Sequence, residues 1–281
     1  MKIVITGAKG MLGHDLTKIL VNNDLHCFNS KQLDITDENN VNMIKNIKPD
    51  IVINSAAFTN VDACESQYDE AYKVNAEGPK NLAKICKNLN IPLVHISTDY
   101  VFKGDKNEPL IENDSVGPNT AYGKTKLAGE KYIQETLDKY FIIRTAWLYG
   151  HNGANFVETM LNLSQNNNEL NVVNDQIGTP TYTLDLAYAI SNLIKTNKYG
   201  IYHITNSGYC SWYEFAKEIF KLSKINIKVN PVKTEEFPRP APRPKYSVLS
   251  NQKLIDNGFK PLRNYKEALK EYIKERTKWK E

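Results

Sequence analysis

Tyr122 and Lys126 have the residue types and the spacing that a proton-transfer site needs. They form the pattern YxxxK, and on a helix their side chains lie on one face, one turn apart. A lysine ammonium beside a phenol favours the phenolate, which lowers the tyrosine pKa from its usual value of about 10. The pattern therefore predicts that Tyr122 donates and accepts protons near neutral pH, with Lys126 as its partner.

The YxxxK pattern alone is weak, because Tyr213 and Lys217 also match it. Tyr122 lies 24 residues after Thr98, which ends an apolar run, and such strand ends bind ligands in parallel sheets. We predict that Thr98 and Tyr122 together polarise a carbonyl group. Alternatively, the Thr98 hydroxyl bonds only a backbone group. Tyr213 is expected to pack or to face solvent, because Ser211 begins a capped helix there.

A glycine-rich loop follows the first apolar run of the chain. Gly7, Gly10 and Gly13 form GxxGxxG, a spacing variant of the dinucleotide-binding fingerprint. Glycines let the backbone approach a pyrophosphate, and the helix that follows directs N–H groups at its negative charge. The loop predicts a dinucleotide cofactor, and the alternative is a glycine-rich turn without a ligand.

The end of the second apolar run bears on the choice of cofactor. Ser30 and Lys31 stand where an NAD-binding protein carries a carboxylate for the ribose 2′-hydroxyl. We therefore predict that NADPH is preferred over NADH, with Lys9 and Lys31 attracting the 2′-phosphate. Asp34 lies farther on, where it serves the adenine pocket or caps a helix. If Asp34 instead held the ribose hydroxyls, NADH would be favoured or both cofactors used.

The elements that position these residues alternate between short apolar runs and helical patterns. The runs are apolar on both faces, as in a parallel sheet covered by helices. This alternation predicts an α/β fold, a doubly wound parallel (Rossmann) sheet with a smaller C-terminal α/β lobe. The predicted strands are 3–5, 26–28, 51–53, 93–96 and 141–143. The predicted helices are 11–21, 72–86, 124–138 and 265–278.

The alternation breaks after about residue 150. Prolines exclude a helix or a central strand from residues 237–244. Three later elements are expected to return to the sheet: 172–173, 184–194 and 201–203. The expected dinucleotide-binding domain comprises 1–150 and about 171–203. The expected substrate lobe comprises about 151–170 and 204–281.

Composition excludes several other classes of protein. Hydrophobic residues make up 41% of the 281 and charged residues 24%; the net charge of +4 favours anionic ligands but is too small for nucleic-acid binding. No apolar run reaches about 18 residues and no signal peptide is recognised, so we expect neither a membrane span nor secretion. The four cysteines and five histidines lack the spacing of a disulfide framework or a metal site. We expect a cytoplasmic protein with a small-molecule substrate.

Five longer motifs resemble the dTDP-4-dehydrorhamnose reductases, a family of extended short-chain dehydrogenases, over nearly the whole chain. These motifs are NSAAFTNVD at 54–62, STDYVF at 97–102, YGKTKLAGE at 122–130, RTAWLY at 144–149 and NDQIGTPT at 174–181. The resemblance implies NAD(P)H-dependent reduction of the C4 ketone of dTDP-4-dehydro-L-rhamnose to dTDP-L-rhamnose, the final step of dTDP-rhamnose biosynthesis. It also implies a nucleotide-sugar partner.

The resemblance also implies site residues. Tyr122, Lys126 and Thr98 are the expected catalytic residues, and the first two also contact the cofactor. The other expected cofactor residues are Gly7, Gly10, Met11, Leu12, Gly13, Ser30, Lys31, Asp34, Ile35, Ala56, Ala57, Phe58 and Thr59. The expected substrate residues are Thr98, Asp99, Tyr100, Trp147, Asn155 and Arg243.

Two of the substrate residues have alternative interpretations. Trp147 is expected to pack on the sugar ring, but a strand-end aromatic is also typical of a core. An arginine fork suits diphosphate oxygens, so Arg243 and less surely Arg239 are candidates for that group, unless the proline-rich segment is a solvated loop. Some family members dimerise around magnesium through acidic side chains. Asp15 is the one such residue recognised here, so a monomer or a homodimer is expected, and a metal ligand set is not assigned.

Two other functions compete with ketone reduction. Nucleotide-sugar epimerases and dehydratases share the fold, but dehydratases place Asp-Glu after the threonine, whereas Thr98 is followed by Asp99 and Tyr100. A non-catalytic NADP-binding regulatory subunit, such as the β subunit of methionine adenosyltransferase, also resembles this group. The intact set of Thr98, Tyr122 and Lys126 favours turnover over a purely regulatory role.

Overall fold

The computed structural model describes the backbone of residues 1–279 and the side chains of residues 1–276. Its strands are β1 (Lys2–Thr6), β2 (Asp24–Phe28), β3 (Ile51–Asn54), β4 (Leu93–Thr98), β5 (Tyr140–Thr145), β6 (Leu148–Tyr149), β7 (Glu169–Val173), β8 (Ile177–Gly178), β9 (Thr181–Tyr182), β10 (Gly200–His203), β11 (Cys210–Ser211) and β12 (Lys228–Val232).

The α-helices are α1 (Met11–Ile19), α2 (Glu38–Val41), α3 (Ile44–Ile47), α4 (Val61–Ser66), α5 (Tyr68–Tyr72), α6 (Gly78–Leu89), α7 (Ala121–Thr136), α8 (Phe156–Leu163), α9 (Thr183–Leu193), α10 (Trp212–Leu222), α11 (Gln252–Asp256) and α12 (Tyr265–Trp279). A π-helical turn, Lys73–Glu77, joins α5 to α6. Short 3-10 turns lie at Asp99–Val101 and Thr234–Glu236. No helix in the described range is long and apolar enough to cross a membrane.

Six strands form one parallel sheet in the order β10-β5-β4-β3-β1-β2. Alternate residues of each strand enter two different cores: Ile3 and Ile5 pack with α1 and α9, whereas Val4 packs with α6 and α7. Burial on both faces explains the unbroken apolar runs of the sequence. The strand order reverses between β1 and β3, which opens a crevice at their carboxyl ends. The predicted doubly wound α/β fold is confirmed.

A second, smaller core lies beside the sheet. It is built from α8, α10 and α12, and its largest buried side chains are aromatic: Tyr149, Tyr182, Phe215 and Tyr272. The expectation that residues 172–173 return to the main sheet is wrong. β7 pairs with β12 instead, because its residues alternate between exposed and buried and therefore suit a two-stranded ribbon better than a central strand.

The other elements expected to return to the sheet do so. α9 packs against α1, and β10 pairs with β5. Residues 237–244 form neither a strand nor an α-helix, as their prolines require. The division of the chain into a dinucleotide-binding domain and a substrate lobe stays a prediction, with β7 now grouped with the smaller core.

Candidate active site

The end of β4 and the start of α7 meet at the predicted catalytic pair. Thr120 caps α7, its hydroxyl accepting from Gly123 N at 3.0 Å. A β-carbon at Gly123 would lie 2.2 Å from the carbonyl oxygen of Tyr100, so only glycine lets α7 approach the β4 loop this closely. The approach places Tyr122 near Thr98, whose hydroxyl donates to Asp99 Oδ1.

Tyr122 differs from the sequence-based expectation in its acidity. The expected lowering of its pKa is wrong for this structure: burial raises the pKa above the usual value, the charge of Asp99 adds to that, and among the larger influences only the nearby Thr98 hydroxyl opposes it. The phenol is therefore protonated at neutral pH. Protonation suits the reductive direction, in which this group must donate a proton.

Lys126 lies on the same helix but bonds elsewhere. Its Nζ donates to Ile96 O at 2.6 Å and lies 3.3 Å from His95 Nε2. Burial lowers the pKa of Lys126 to about 8, and the Glu130 carboxylate one turn on opposes that shift. Glu130 itself is buried and paired with Arg144. Lys126 therefore lies in the site, but this structure does not direct it at the Tyr122 oxygen.

Asp99 and Tyr100 complete the β4 end of the site. Thr98 Oγ1 donates to Asp99 Oδ1 at 2.9 Å. Burial raises the pKa of Asp99 to about 6, although the hydrogen bond from Thr98 and the nearby Ser247 hydroxyl oppose the rise. The Tyr100 ring meets the Tyr122 ring edge-on, with 5.5 Å between centroids. Both predicted substrate residues thus border the catalytic pair.

The glycine loop fits the pyrophosphate of a dinucleotide. Gly7 has a φ of +69°, and a β-carbon there would lie 2.6 Å from Ala56 N, in the crevice between β1 and β3. A β-carbon at Gly13 would lie 2.2 Å from Gly7 O, so helix and loop touch through backbone alone. Helix α1 carries no acidic residue in its first turn and no side-chain cap. Met11 and Leu12 therefore open a helix whose first N–H groups are available to an anion.

The end of β2 lies beside this loop, where Ala8 N donates to Phe28 O at 3.0 Å. Ser30 and Lys31 are exposed just beyond it, with no carboxylate at the strand end. The Asp34 carboxylate accepts from the backbone and the hydroxyl of Thr36, at 2.9 and 2.8 Å. The Asp34 side chain therefore stabilises the turn between residues 34 and 36 and does not cap a helix.

Neighbouring residues complete this side of the crevice. Asp37 caps α2 by accepting from Asn39 N. The alternative interpretation of Asp34 as a helix cap is therefore not realised. Ile35 is buried, and a β-carbon at Gly78 would lie 2.6 Å from its side chain. The close approach of α6 explains how Ile35 is held at the edge of the crevice.

The loop after β3 carries the remaining cofactor candidates: Ala56, Ala57, Phe58 and Thr59. Asn75, in the π-helical turn, clamps this loop by accepting from Phe58 N at 2.9 Å and donating to Phe58 O at 3.0 Å. Sequence reasoning missed Asn75, as well as Asn54 at the end of β3 and His95 within β4. The only available signal was polar residues within otherwise apolar runs, at the edge where ligands bind.

Trp147 follows β5 with a left-handed backbone, φ +49°, which is rare for a large side chain. Its indole stacks on Trp212 with 3.4 Å between centroids and 5° between planes. A β-carbon at Gly178 would lie 2.4 Å from the indole, so Gly178 makes room for it. Trp147 is half-buried, with one face covered by Trp212. Its contact with a sugar stays a prediction.

Arg243 lies at the mouth of a cavity of about 210 Å³ that also borders Tyr100. Its fork is already paired: both terminal nitrogens lie 2.9 Å from the carboxylate oxygens of Asp62. Partial burial opposes ionisation of Asp62, but Arg243 holds the pKa of that carboxyl below its usual value. Lys103 and Lys245 also line the cavity, together with Asp105, which pairs with Lys103 at 2.6 Å. The balance of charge is positive and suits an anion. Arg239 instead lies over the Phe237 ring.

Three residues singled out in the sequence are engaged elsewhere. Asn155 caps α8 through Glu158 N and donates to Gly150 O, and none of its hydrogen bonds reaches the catalytic pair. Asp15 is buried and accepts from Thr183. Within the described residues, no three acidic, histidine or cysteine side chains form a metal-binding group. Tyr213 packs against the second core, as expected of the decoy motif.

The sequence matches the RmlD substrate binding domain family over residues 1–278. The chain belongs to this family. A similar solved structure is a dTDP-4-dehydrorhamnose reductase from Clostridium acetobutylicum, with 53% identity and a TM-score of 0.95, covering 98% of this chain and 99% of that one. The family prediction made from the motifs is confirmed.

Two other relatives extend the comparison. A dTDP-4-dehydrorhamnose reductase from Bacillus anthracis, solved in complex with NADP, is 45% identical with a TM-score of 0.96 and covers 98% of this chain and 100% of that one. The spore coat polysaccharide biosynthesis protein SpsK of Bacillus subtilis is 46% identical over 98% of both chains. These relatives therefore match this chain over almost its whole length.

Proposed function

We propose that this protein reduces the C4 ketone of dTDP-4-dehydro-L-rhamnose to give dTDP-L-rhamnose, with NADPH as the reductant. The observation that carries the proposal is that Thr98 and Tyr122 lie close together at the carboxyl edge of a dinucleotide-type sheet. Membership of the RmlD family, with reductase relatives matched over nearly their whole length, supports the choice of substrate.

The protein's own groups account for the proton chemistry. The Tyr122 hydroxyl donates a hydrogen bond to the ketone oxygen and so polarises the C4 carbonyl. Thr98 adds a second hydrogen bond once its hydroxyl turns from Asp99 Oδ1 to the ketone. The nicotinamide, when bound, supplies the hydride to C4. Tyr122 gives its proton to the oxygen, which becomes the alcohol, and is left as a phenolate. Lys126 as an ammonium stabilises that phenolate once its amine turns from Ile96 O.

We propose that the glycine loop, the loop after β3 and the residues around Ile35 hold the cofactor. NADPH is preferred because Ser30 and Lys31 leave no carboxylate to repel a 2′-phosphate, and the NADP complex of the Bacillus anthracis relative supports this. NADH is a weaker alternative cofactor, and magnesium has no step in the proposal.

The cofactor proposal is tested by kcat/KM for NADPH and NADH at two salt concentrations. The exposed Lys31 should contribute about 1 kcal/mol to NADPH binding, an attraction that salt screens. Lys31→Ala should therefore lower the ratio of kcat/KM for NADPH to kcat/KM for NADH. Lys45→Ala is the matched control, because it removes an exposed lysine outside the loop. A preference for NADH that disappears in Asp34→Ala would overturn the proposal.

We propose that the cavity beside Arg243 receives the substrate diphosphate. Lys103, Lys245 and Arg243 outnumber the one carboxylate of its lining, Asp105, which pairs with Lys103. Tyr100 connects this cavity to the catalytic pair. Arg243 is already oriented by Asp62, so little side-chain freedom is lost on binding. Arg243→Ala should weaken binding of free dTDP. If dTDP binds Arg243→Ala as tightly as wild type, the diphosphate lies elsewhere.

The reductase proposal is tested by mixing the pure protein with dTDP-4-dehydro-L-rhamnose and NADPH. Loss of absorbance at the nicotinamide band, without any partner protein, is the expected result. Tight NADPH binding with no turnover would instead favour the regulatory role.

The four cysteines are free in the structure, which supports a reducing compartment such as the cytoplasm.

A further inference from the structure

A chain of buried side chains leads from the first strand to Lys126. Thr6 Oγ1 donates to Asn54 Oδ1 at 2.7 Å, and Asn54 Nδ2 lies 3.0 Å from His95 Nδ1. His95 Nε2 lies 3.3 Å from Lys126 Nζ. All four residues are almost fully inaccessible to solvent. The chain crosses β1, β3 and β4 and ends on α7, and the proton transfer described above uses only its last member.

A backbone donor fixes the direction of the hydrogen bonds in this chain. Ala56 N donates to Asn54 Oδ1 at 3.1 Å, and a backbone N–H cannot accept. The amide nitrogen of Asn54 must therefore face His95, and because it only donates, His95 Nδ1 must accept. Burial and the nearby Lys126 lower the pKa of His95 well below its ordinary value, so the ring is neutral. A neutral imidazole that accepts at Nδ1 carries its proton on Nε2.

His95 consequently presents a donor to a side chain that is itself a donor. An ammonium group has three N–H bonds and no acceptor. Within the described residues, Ile96 O at 2.6 Å is the one acceptor bonded to Lys126, and the longer 3.3 Å separation from His95 Nε2 fits a donor facing a donor. The other N–H bonds of the ammonium are left for a ligand.

We propose that Asn54 and His95 are positioning residues for Lys126. The neutral Nε2–H tautomer of His95 does not accept a hydrogen bond from the Lys126 ammonium, so the ammonium stays available for the cofactor ribose and Tyr122. The inference rests on the proposed function. An imidazole with the opposite tautomer would accept from Lys126 at Nε2 and would compete with the cofactor. The tautomer that Asn54 imposes therefore keeps Lys126 free to change partners.

The other charged and titratable groups around Lys126 act in known directions. Burial lowers the pKa of Lys126 to about 8, and Glu130 on the same helix opposes the shift. Glu130 is itself paired with Arg144 of β5, and Tyr122 on α7 is protonated at neutral pH. An acceptor at His95 would add to the effect of Glu130. It would therefore raise the pKa of Lys126.

Asn54→Asp removes the donor of the hydrogen bond from Asn54 Nδ2 to His95 Nδ1, on which the proposal depends. A carboxylate at this position still accepts from Thr6 and Ala56, but it cannot donate to His95. His95 must then carry its proton on Nδ1 and accept from Lys126 at Nε2. We expect NADPH to bind about tenfold more weakly and the Lys126 limb of the pH profile of kcat/KM to move up by about one unit.

The tautomer is read directly from the imidazole 15N shifts of histidine-labelled protein, without cofactor or substrate. The His95 signals are assigned by their loss in His95→Phe. Wild type should show a protonated Nε2 and an unprotonated Nδ1, and Asn54→Asp should show the reverse. A protonated Nδ1 in wild type would overturn the proposal, even if Asn54→Asp failed to fold.

Two controls separate the tautomer from other effects of the substitution. Asn251→Asp makes the same change at a residue that bonds Thr205, and it should leave NADPH affinity unchanged. In a His95→Phe background, Asn54→Asp should lose its effect on NADPH affinity, because there is no tautomer to reverse. A tenfold effect that persists in that background would mean that charge alone acts, and would overturn the proposal.

The NADPH and 15N measurements need no sugar substrate. If wild type shows the Nε2–H tautomer of His95 but fails the reductase assay, the result counts against the proposed function and leaves the tautomer proposal intact.

Discussion

Tyr122 is the residue on which the proton chemistry depends, and burial makes it an acid at neutral pH. Tyr122→Phe removes the proton but keeps the ring that packs against Tyr100. We expect turnover to fall about 10²–10⁴-fold while NADPH affinity changes little. Tyr213→Phe is the matched control, because it changes the decoy motif. Equal losses of kcat in the two variants would refute the assignment.

The buried Asp99 carboxyl should make the free energy of unfolding depend on pH. Because burial raises its pKa to about 6 in the folded protein, above the ordinary 3.8, its contribution favours the folded state at low pH and is lost as pH rises toward 6. The difference in unfolding free energy between wild type and Asp99→Asn should therefore fall by about 3 kcal/mol between about pH 3 and pH 7. Urea unfolding at several pH values measures it. A difference independent of pH would show that the carboxyl is not perturbed.

At the scale of elements, the contact between α1 and the glycine loop decides whether a cofactor is bound. Gly13→Ala inserts a β-carbon 2.2 Å from Gly7 O, so the helix must move away from the loop. We expect NADPH affinity to fall at least tenfold, because the N–H groups of the first helical turn leave the pyrophosphate. Gly117→Ala is the control, since its β-carbon would meet only Lys103, at 3.9 Å. Unchanged NADPH affinity in Gly13→Ala would place the cofactor elsewhere.

The segment between β5 and β6 presents Trp147 in a strained backbone, stacked on α10 through Trp212. Strain of this kind persists where the surrounding structure enforces it, often at ligand sites. Trp147→Ala should weaken nucleotide-sugar binding about tenfold and NADPH binding much less. Separate titrations of the two ligands distinguish these effects. If only the melting temperature falls, Trp147 is a core residue.

Across the whole molecule, local patterns predicted what local physics determines. Alternating apolar runs predicted the sheet, and the spacing of Gly7, Gly10 and Gly13 predicted the loop that now lies in its crevice. What escaped prediction depends on partners far away in sequence. Arg243 is held by Asp62, 181 residues earlier, and Trp147 by Trp212.

The missed strand pairing has the same origin. The alternation within β7 argues against a central strand, but it does not identify β12 as the partner, because β12 comes 55 residues later in the chain. The Asn54–His95 contact likewise exists only once β3 and β4 lie side by side. Single residues in the sequence therefore indicated the chemistry, and the fold supplied the groups that orient it.

The most direct test of the central claim follows a label rather than a rate. The protein is incubated with dTDP-4-dehydro-L-rhamnose and NADPH that carries deuterium at the transferable position of the nicotinamide, and the product is examined by NMR. The account predicts one deuterium at C4 of dTDP-L-rhamnose in wild type and almost no product in Tyr122→Phe. Deuterium at another carbon, or no transfer by a protein that binds both ligands, would contradict it.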